Sequence, residues 1–272
     1  MSLIIINPFR FNSLDADAQN YIDRVESADG SALESTTKNA IFQLFADLKA
    51  TRTWRSNSIT LWDKIGYCLP LCGPRTIAGA MIPLENLTAS TASGTASMNW
   101  NRKTGLAALN TTNTPRVDIP YADNNNDAND SSIAVKLTSA TTTGTTGTLV
   151  SCNGTGTKRE IHRNSTTNDI MVGQSTTEET ISTGTARTVG WRGLTRIVNT
   201  EFTARVLGTD YLRTRTSVGT STSNFRMFYR TNGLQFIGNN GRLQGLQIGA
   251  DLDLAAYESV MDTYITAINS AF

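Results

Sequence analysis

Thr195-Arg196-Ile197-Val198-Asn199-Thr200-Glu201-Phe202-Thr203-Ala204-Arg205-Val206-Leu207 is the stretch that sets the fold class. Val198, Thr200, Phe202, Ala204 and Val206 fall on one side, and Ile197, Asn199, Glu201, Thr203 and Arg205 on the other. A period of two is the mark of a strand with two unlike faces. Downstream, Phe225, Met227 and Tyr229 alternate with Arg226, Phe228 and Arg230, and residues 243–248 read as another strand. Upstream, residues 133–137, 148–151, 170–172 and 188–191 are short strand candidates separated by Gly, Thr and Asn turns. Many short strands with frequent turn signals indicate an antiparallel sandwich or barrel. No strand–helix alternation runs through this stretch, which argues against a parallel α/β sheet.

Further out the composition changes. Of 41 Thr, 5 fall in residues 1–75 and 27 in residues 76–200. Thr favours strands and turns over helices, so the early chain is a different kind of structure. Asp15 caps a predicted helix carrying Tyr21, Ile22 and Val25, which Asp29-Gly30 ends. Ser31 with Glu34 reads as a capping box, opening a helix with Leu33, Ile41, Leu44, Phe45 and Leu48 on one stripe. A third, shorter helical piece is expected around Ile59, Leu61, Trp62 and Ile65. The chain closes on a helix capped by Asp253, with Leu254, Tyr257, Met261, Tyr264, Ile265 and Ile268 in line. The expectation is mainly β with helical additions: an extended arm over residues 1–14, a helical segment over 15–72, and an antiparallel β-sandwich with a C-terminal helix over 73–272.

The formal net charge is +1, so no strong field directs the chain to nucleic acid or an anionic membrane. Its 18 Arg against 6 Lys suit bidentate pairing at interfaces. Cys68, Cys72 and Cys152 make no disulfide framework and read as buried, reduced thiols. The apolar run at the N-terminus stops at Asn7-Pro8, too short for a signal peptide or a membrane span. The chain is therefore expected to be made in the cytosol.

A search for chemistry assigns no catalytic, cofactor or metal residues. His162 is the single histidine, which excludes a His-rich metal site, and it reads as a solvent-facing residue at a strand end. Residues 123–130, an Asp/Asn cluster, lack the Gly and Glu spacing of a calcium loop and read as a plain polar loop. Residues 138–148, rich in Thr and Gly, read as a long hairpin tip or exposed loop. Gly238-Asn239-Asn240-Gly241 reads as a β-turn, because a phosphate loop needs a following Lys and Ser or Thr.

The helical lead-in, then Gly73-Pro74-Arg75-Thr76-Ile77-Ala78-Gly79-Ala80, then Asn101-Arg102-Lys103-Thr104-Gly105-Leu106, resembles a group of bacteriophage virion proteins. So does the terminal strand, residues 242–249, running into a helix from Asp253. These proteins have a laminin-G-like (concanavalin A-like) jelly roll. The resemblance implies that fold and a virion setting, and no catalytic residue. The expected function is a non-enzymatic tail fibre, tail-tip or baseplate appendage, assembling as a symmetric oligomer, a homotrimer by expectation, and contacting other virion proteins and host surface glycan. The alternatives are a capsid decoration protein and a polysaccharide-degrading enzyme.

One segment stands out as an assembly element. Ile4, Ile5 and Ile6 form a strong strand signal that Asn7-Pro8 stops, and Phe9 and Phe11 follow on one side of Arg10. The arm is expected to lie on its own sandwich or to add a strand to a neighbour.

Overall fold

A computed structural model of the chain describes residues 15–109, 115–139, 147–154, 157–163, 168–175, 178–182, 188–229 and 241–272. The first helix, α1 (Ala16–Asp29), starts where Asp15 accepts hydrogen bonds from the amides of Asp17 and Ala18 and stops at Gly30 with φ 67°. Helix α2 (Ser35–Lys49) buries Ile41, Leu44, Phe45 and Leu48. It begins three residues later than a Ser31 cap would place it. Glu34 does not reach back to Ser31, because its carboxylate is held by the guanidiniums of Arg75 and Arg102 at 2.8 and 2.7 Å.

The third helix expected around residues 59–65 is replaced by a hairpin, β1 (Arg52–Trp54) and β2 (Asn57–Ile59), then a single 3₁₀ turn and strand β3 (Ile65–Leu69). Arg55 and Ser56 both take positive φ, 51° and 66°, the geometry of a tight two-residue hairpin. Beyond β3 come a one-turn helix α3 (Ile77–Ala80) and strands β4 (Thr91–Ser93), β5 (Met98–Asn101), β6 (Gly105–Ala108) and β7 (Arg116–Ala122). The longer strands follow: β8 (Ser131–Ser139), β9 (Gly147–Gly154), β10 (Thr157–Arg163), β11 (Asn168–Ser175), β12 (Glu179–Ser182) and β13 (Gly190–Val198). The chain ends with β14 (Glu201–Val206), β15 (Thr209–Thr214), β16 (Asn224–Met227), β17 (Gly241–Gly249) and α4 (Leu254–Ser270).

The alternating stretch of residues 195–207 is thus two strands, β13 and β14, folded back at Asn199 and Thr200. Alternation survives in β14, where Phe202, Ala204 and Val206 are buried.

The strands form an antiparallel sandwich. One sheet has the order β12-β11-β10-β9-β16-β7-β4, and the other β15-β14-β13-β8-β17-β6-β5, with β3 also paired to β17. Residues 15–72 therefore contribute a strand to the second sheet. Strands β8 and β9, which flank the Thr-rich run, lie in different sheets and are not a hairpin pair; residues 140–146 between them lie outside the described residues.

Two apolar layers hold this together. Between the sheets, Ala92, Val117, Met227, Val150, Ile161 and Met171 align in register across β4, β7, β16, β9, β10 and β11. They meet Ile133, Val135, Leu194, Phe202, Leu246 and Ile248 of the opposite sheet. The second layer lies outside that opposite sheet, where α1, α2 and α4 pack with Ala134 and Trp191. Strand β8 is covered on both faces, which is why residues 131–135 are all buried. Gly105, at φ 92°, lets β6 approach β17: a Cβ there would stand 2.0 Å from the Leu243 carbonyl oxygen.

Candidate functional site

The long helices occupy the outer side of the eight-stranded sheet. On the outer side of the seven-stranded sheet, the register that lines up the apolar row also lines up a polar one. Thr91, Asp118, Arg226, Ser151 and Glu160 are successive cross-strand partners over five strands. Successive residues of a strand point to opposite faces, so the polar row is the necessary counterpart of the buried row one residue away.

Asp118 lies at the centre of the row's exposed end. Its two carboxylate oxygens accept from Arg226 and from Arg116, each at 2.8 Å. All three side chains keep about a third of their surface in water, 31–35%. Strand β16 stops at Met227 because Phe228 takes φ 63°, and this turn brings the Tyr229 ring to the two guanidiniums, at 5.7 and 5.5 Å from its centroid. The Ser151 hydroxyl donates to the Tyr229 carbonyl at 2.6 Å and fixes that turn. Tyr229, which the alternation groups with Phe225 and Met227, therefore belongs to the polar side.

At the other end of the row lie Glu160 and His162 on β10, with Glu178 just before β12. One ligand-type atom of each lies within 4.8 Å of the others. His162 is 3% exposed and Glu160 0%, which corrects the solvent-facing histidine expected from sequence. Two carboxylates and an imidazole at this spacing can hold a cation or pass a proton between them. The sequence reading assigned no metal ligands. The Glu160–His162 pair, two residues apart on a strand, was visible as a pattern. Glu178 was not, because the β10-β11-β12 meander alone brings it near.

The other candidates are structural. Within residues 123–130, Asp123 is buried, pairs with Arg159 at 3.0 Å and accepts from the Ser221 amide. Asp130 accepts from the Asp251 amide, and Asn126 from the Tyr121 hydroxyl. This loop closes one end of the sandwich. The three thiols are buried and form no disulfide, and burial pushes Cys72 and Cys152 up to about 12. The two sequence motifs that carried the resemblance meet at Glu34: Arg102 also donates to the Gly73 carbonyl at 2.8 Å. The hydrogen bond from Arg102 holds the Glu34 carboxyl down to about 2. Burial pushes the Glu85 carboxyl up to about 7, while one of its oxygens accepts from the Cys68 amide at 2.9 Å. The expected assembly arm, Ile4, Ile5, Ile6, Phe9 and Phe11, lies outside the described residues, as does most of the turn at 238–241.

No family model and no curated protein matches this chain. Solved structures do. Trypanosoma rangeli sialidase in complex with sialic acid is 8% identical with a TM-score of 0.51, over 87% of this chain and 38% of that one. A mutant of that sialidase displaying trans-sialidase activity gives 9% identity and a TM-score of 0.53, over 84% and 38%. Domain 4 of an extracellular arabinanase from Geobacillus stearothermophilus, in complex with arabinotriose, is 15% identical with a TM-score of 0.42, over 66% and 89%. The chain spans 38% of the length of the sialidases it matches. The sialidase likenesses correct the expectation of a non-enzymatic chain, which rested on finding no site in the sequence: the proteins matched there are enzymes. What the chain shares with them is the jelly-roll-like β-sandwich fold.

Proposed function

We propose that this chain is a glycan-contacting β-sandwich module of a virion appendage, acting through the outer face of its seven-stranded sheet. The observation that carries the reading is the exposed Arg116–Asp118–Arg226 cluster with the Tyr229 ring beside it. Sugars offer hydroxyl groups that donate to carboxylates and accept from guanidiniums, and C–H faces that rest on aromatic rings. Hydrogen bonds to charged groups are the stronger kind. Here one carboxylate, bonded to both guanidiniums at 2.8 Å, fixes their positions. The fold supports the reading through its occurrence in a sialidase solved with sialic acid. The virion setting is supported by the sequence resemblance alone, as are the partners it brings: other virion proteins and further copies of the chain.

The test is a binding titration against bacterial surface polysaccharides, sialosides and arabino-oligosaccharides. The expected result is saturable binding to one class, weakened about tenfold or more in Arg226→Ala, with an unchanged melting temperature as the control. Binding to none, or binding unaffected by Arg226→Ala and Tyr229→Ala together, would overturn the reading. Aryl glycosides of the bound sugar then show whether binding leads to turnover.

A further inference from the structure

We propose that the outer face of the seven-stranded sheet selects acidic sugars, the paired guanidiniums of Arg116 and Arg226 receiving the carboxylate of a hexuronic or sialic acid unit. This rests on the glycan-contact reading and names the class of sugar that the face takes.

The first argument is which nitrogens are engaged. Arg116 and Arg226 each donate to Asp118 through Nε, at 2.8 Å. Among the described residues, neither Nη1 nor Nη2 of either side chain makes a hydrogen bond. A guanidinium carries its N–H donors in a planar fork, so the Nη edge of each fork is open to a ligand. About a third of each side chain lies in water.

Charge gives the second argument. Two guanidiniums against one carboxylate leave an excess of one positive charge. The cross-strand partners beside them, Thr91, Ser93 and Ser151, are uncharged. Glu160, the next carboxylate along the row, lies beyond Ser151 and is buried. A neutral sugar hydroxyl would use the open donors but leave the charge unanswered. A carboxylate uses both, accepts bidentately, and forms the stronger, charge-assisted bonds.

Spacing gives the third. The carboxyl carbon of a uronic or sialic acid is bonded directly to the sugar ring. The Tyr229 ring centroid stands 5.7 and 5.5 Å from the two guanidinium carbons. A pyranose can therefore rest against Tyr229 while its carboxylate meets the arginines. A sulfate ester places an additional oxygen between ring and anion and fits this spacing less well. Asp118 already holds both guanidiniums in place, so little side-chain freedom is lost when the ligand arrives.

The experiment is calorimetric titration of the full chain with polygalacturonic acid and with polysialic acid. Each is run beside its carboxyl-reduced polymer, in which the carboxylate has become a hydroxymethyl group, and beside dextran sulfate. The expected result is saturable binding of one acidic polymer, roughly tenfold or more tighter than its reduced form and tighter than dextran sulfate. The two acidic polymers tell a uronic from a sialic acid unit. Arg116→Gln keeps a donor but removes the excess charge, and should lose the preference for the acidic form at an unchanged melting temperature. Equal binding of acidic and reduced forms, weakened in Arg226→Ala, overturns the proposal and leaves glycan contact standing. A preference that survives in the Arg116→Gln, Arg226→Gln double variant overturns it, because the carboxylate is then read elsewhere. Dextran sulfate binding as tightly as the acidic sugar overturns it as well. Binding to none of these polymers also overturns it, and the glycan-contact reading falls with it only if neutral glycans bind nowhere either.

Discussion

At the scale of single residues, two carboxylates make opposite pH predictions. Glu34 is held at about 2, chiefly by its hydrogen bond from Arg102. A depressed carboxyl contributes stability that is complete above its unfolded value and lost as pH falls through the folded one. The chain should therefore lose stability from about pH 4.5 down to about pH 2, and Glu34→Gln should flatten that slope in urea melts. Glu85 is raised to about 7 by burial. Its contribution is complete below about 4.5 and is lost as pH rises to about 7, the reverse sign. Urea midpoints of Glu85→Gln should be less dependent on pH across that window. A parent whose stability rises steadily through it, with Glu85→Gln unchanged, would contradict the assignment. Neither carboxylate could be picked out from sequence. Glu34 looked like a capping residue because local spacing cannot show two guanidiniums arriving from residues 75 and 102. His162 looked exposed for the same reason, since its carboxylate neighbours come from its own strand and from one two strands away.

At the scale of elements, burial follows the apolar stripes closely. Phe45 is 0% exposed, with its ring 5.0 Å from Trp62 and 6.1 Å from Tyr21. Truncation to Ala should cost about 3–5 kcal/mol. Chemical denaturation checks this, and an unchanged midpoint would mean that α2 is not packed on its neighbours. Helices α1, α2 and α4 were legible because a 3.6-residue stripe and a cap are local signals: Asp15 and Asp253 cap as expected. The strands were legible in kind but not in extent. Residues 195–207 alternate without a break because Asn199 and Thr200 fit a turn and a strand pattern equally well. Strand β3 lies inside the segment of residues 15–72 expected to be helical, and is not set apart there because a short apolar run shows no period of two.

At the scale of the whole molecule, the sandwich has two unlike outer faces. One is buried under helices whose apolar faces would otherwise meet water. The other carries the charged row. That division was not visible in the sequence, because the row is assembled from β4, β7, β16, β9 and β10, strands far apart along the chain. Its partner row, from Ala92 to Met171, was equally scattered. The arm of residues 1–11 makes a separate prediction under the virion reading. Its deletion should leave the melting temperature unchanged and remove self-association in sedimentation. Unfolding of the truncated chain, or unchanged assembly, would contradict a docking arm.

Under the proposed function the outer face of the seven-stranded sheet is the contact surface. Hydrogen exchange of the chain, with and without the glycan it binds, tests this most directly. The account predicts slowed exchange in β7, β9 and β16 around Asp118, Ser151 and Arg226, with α1, α2 and α4 unchanged. Protection confined to the helical layer would contradict it.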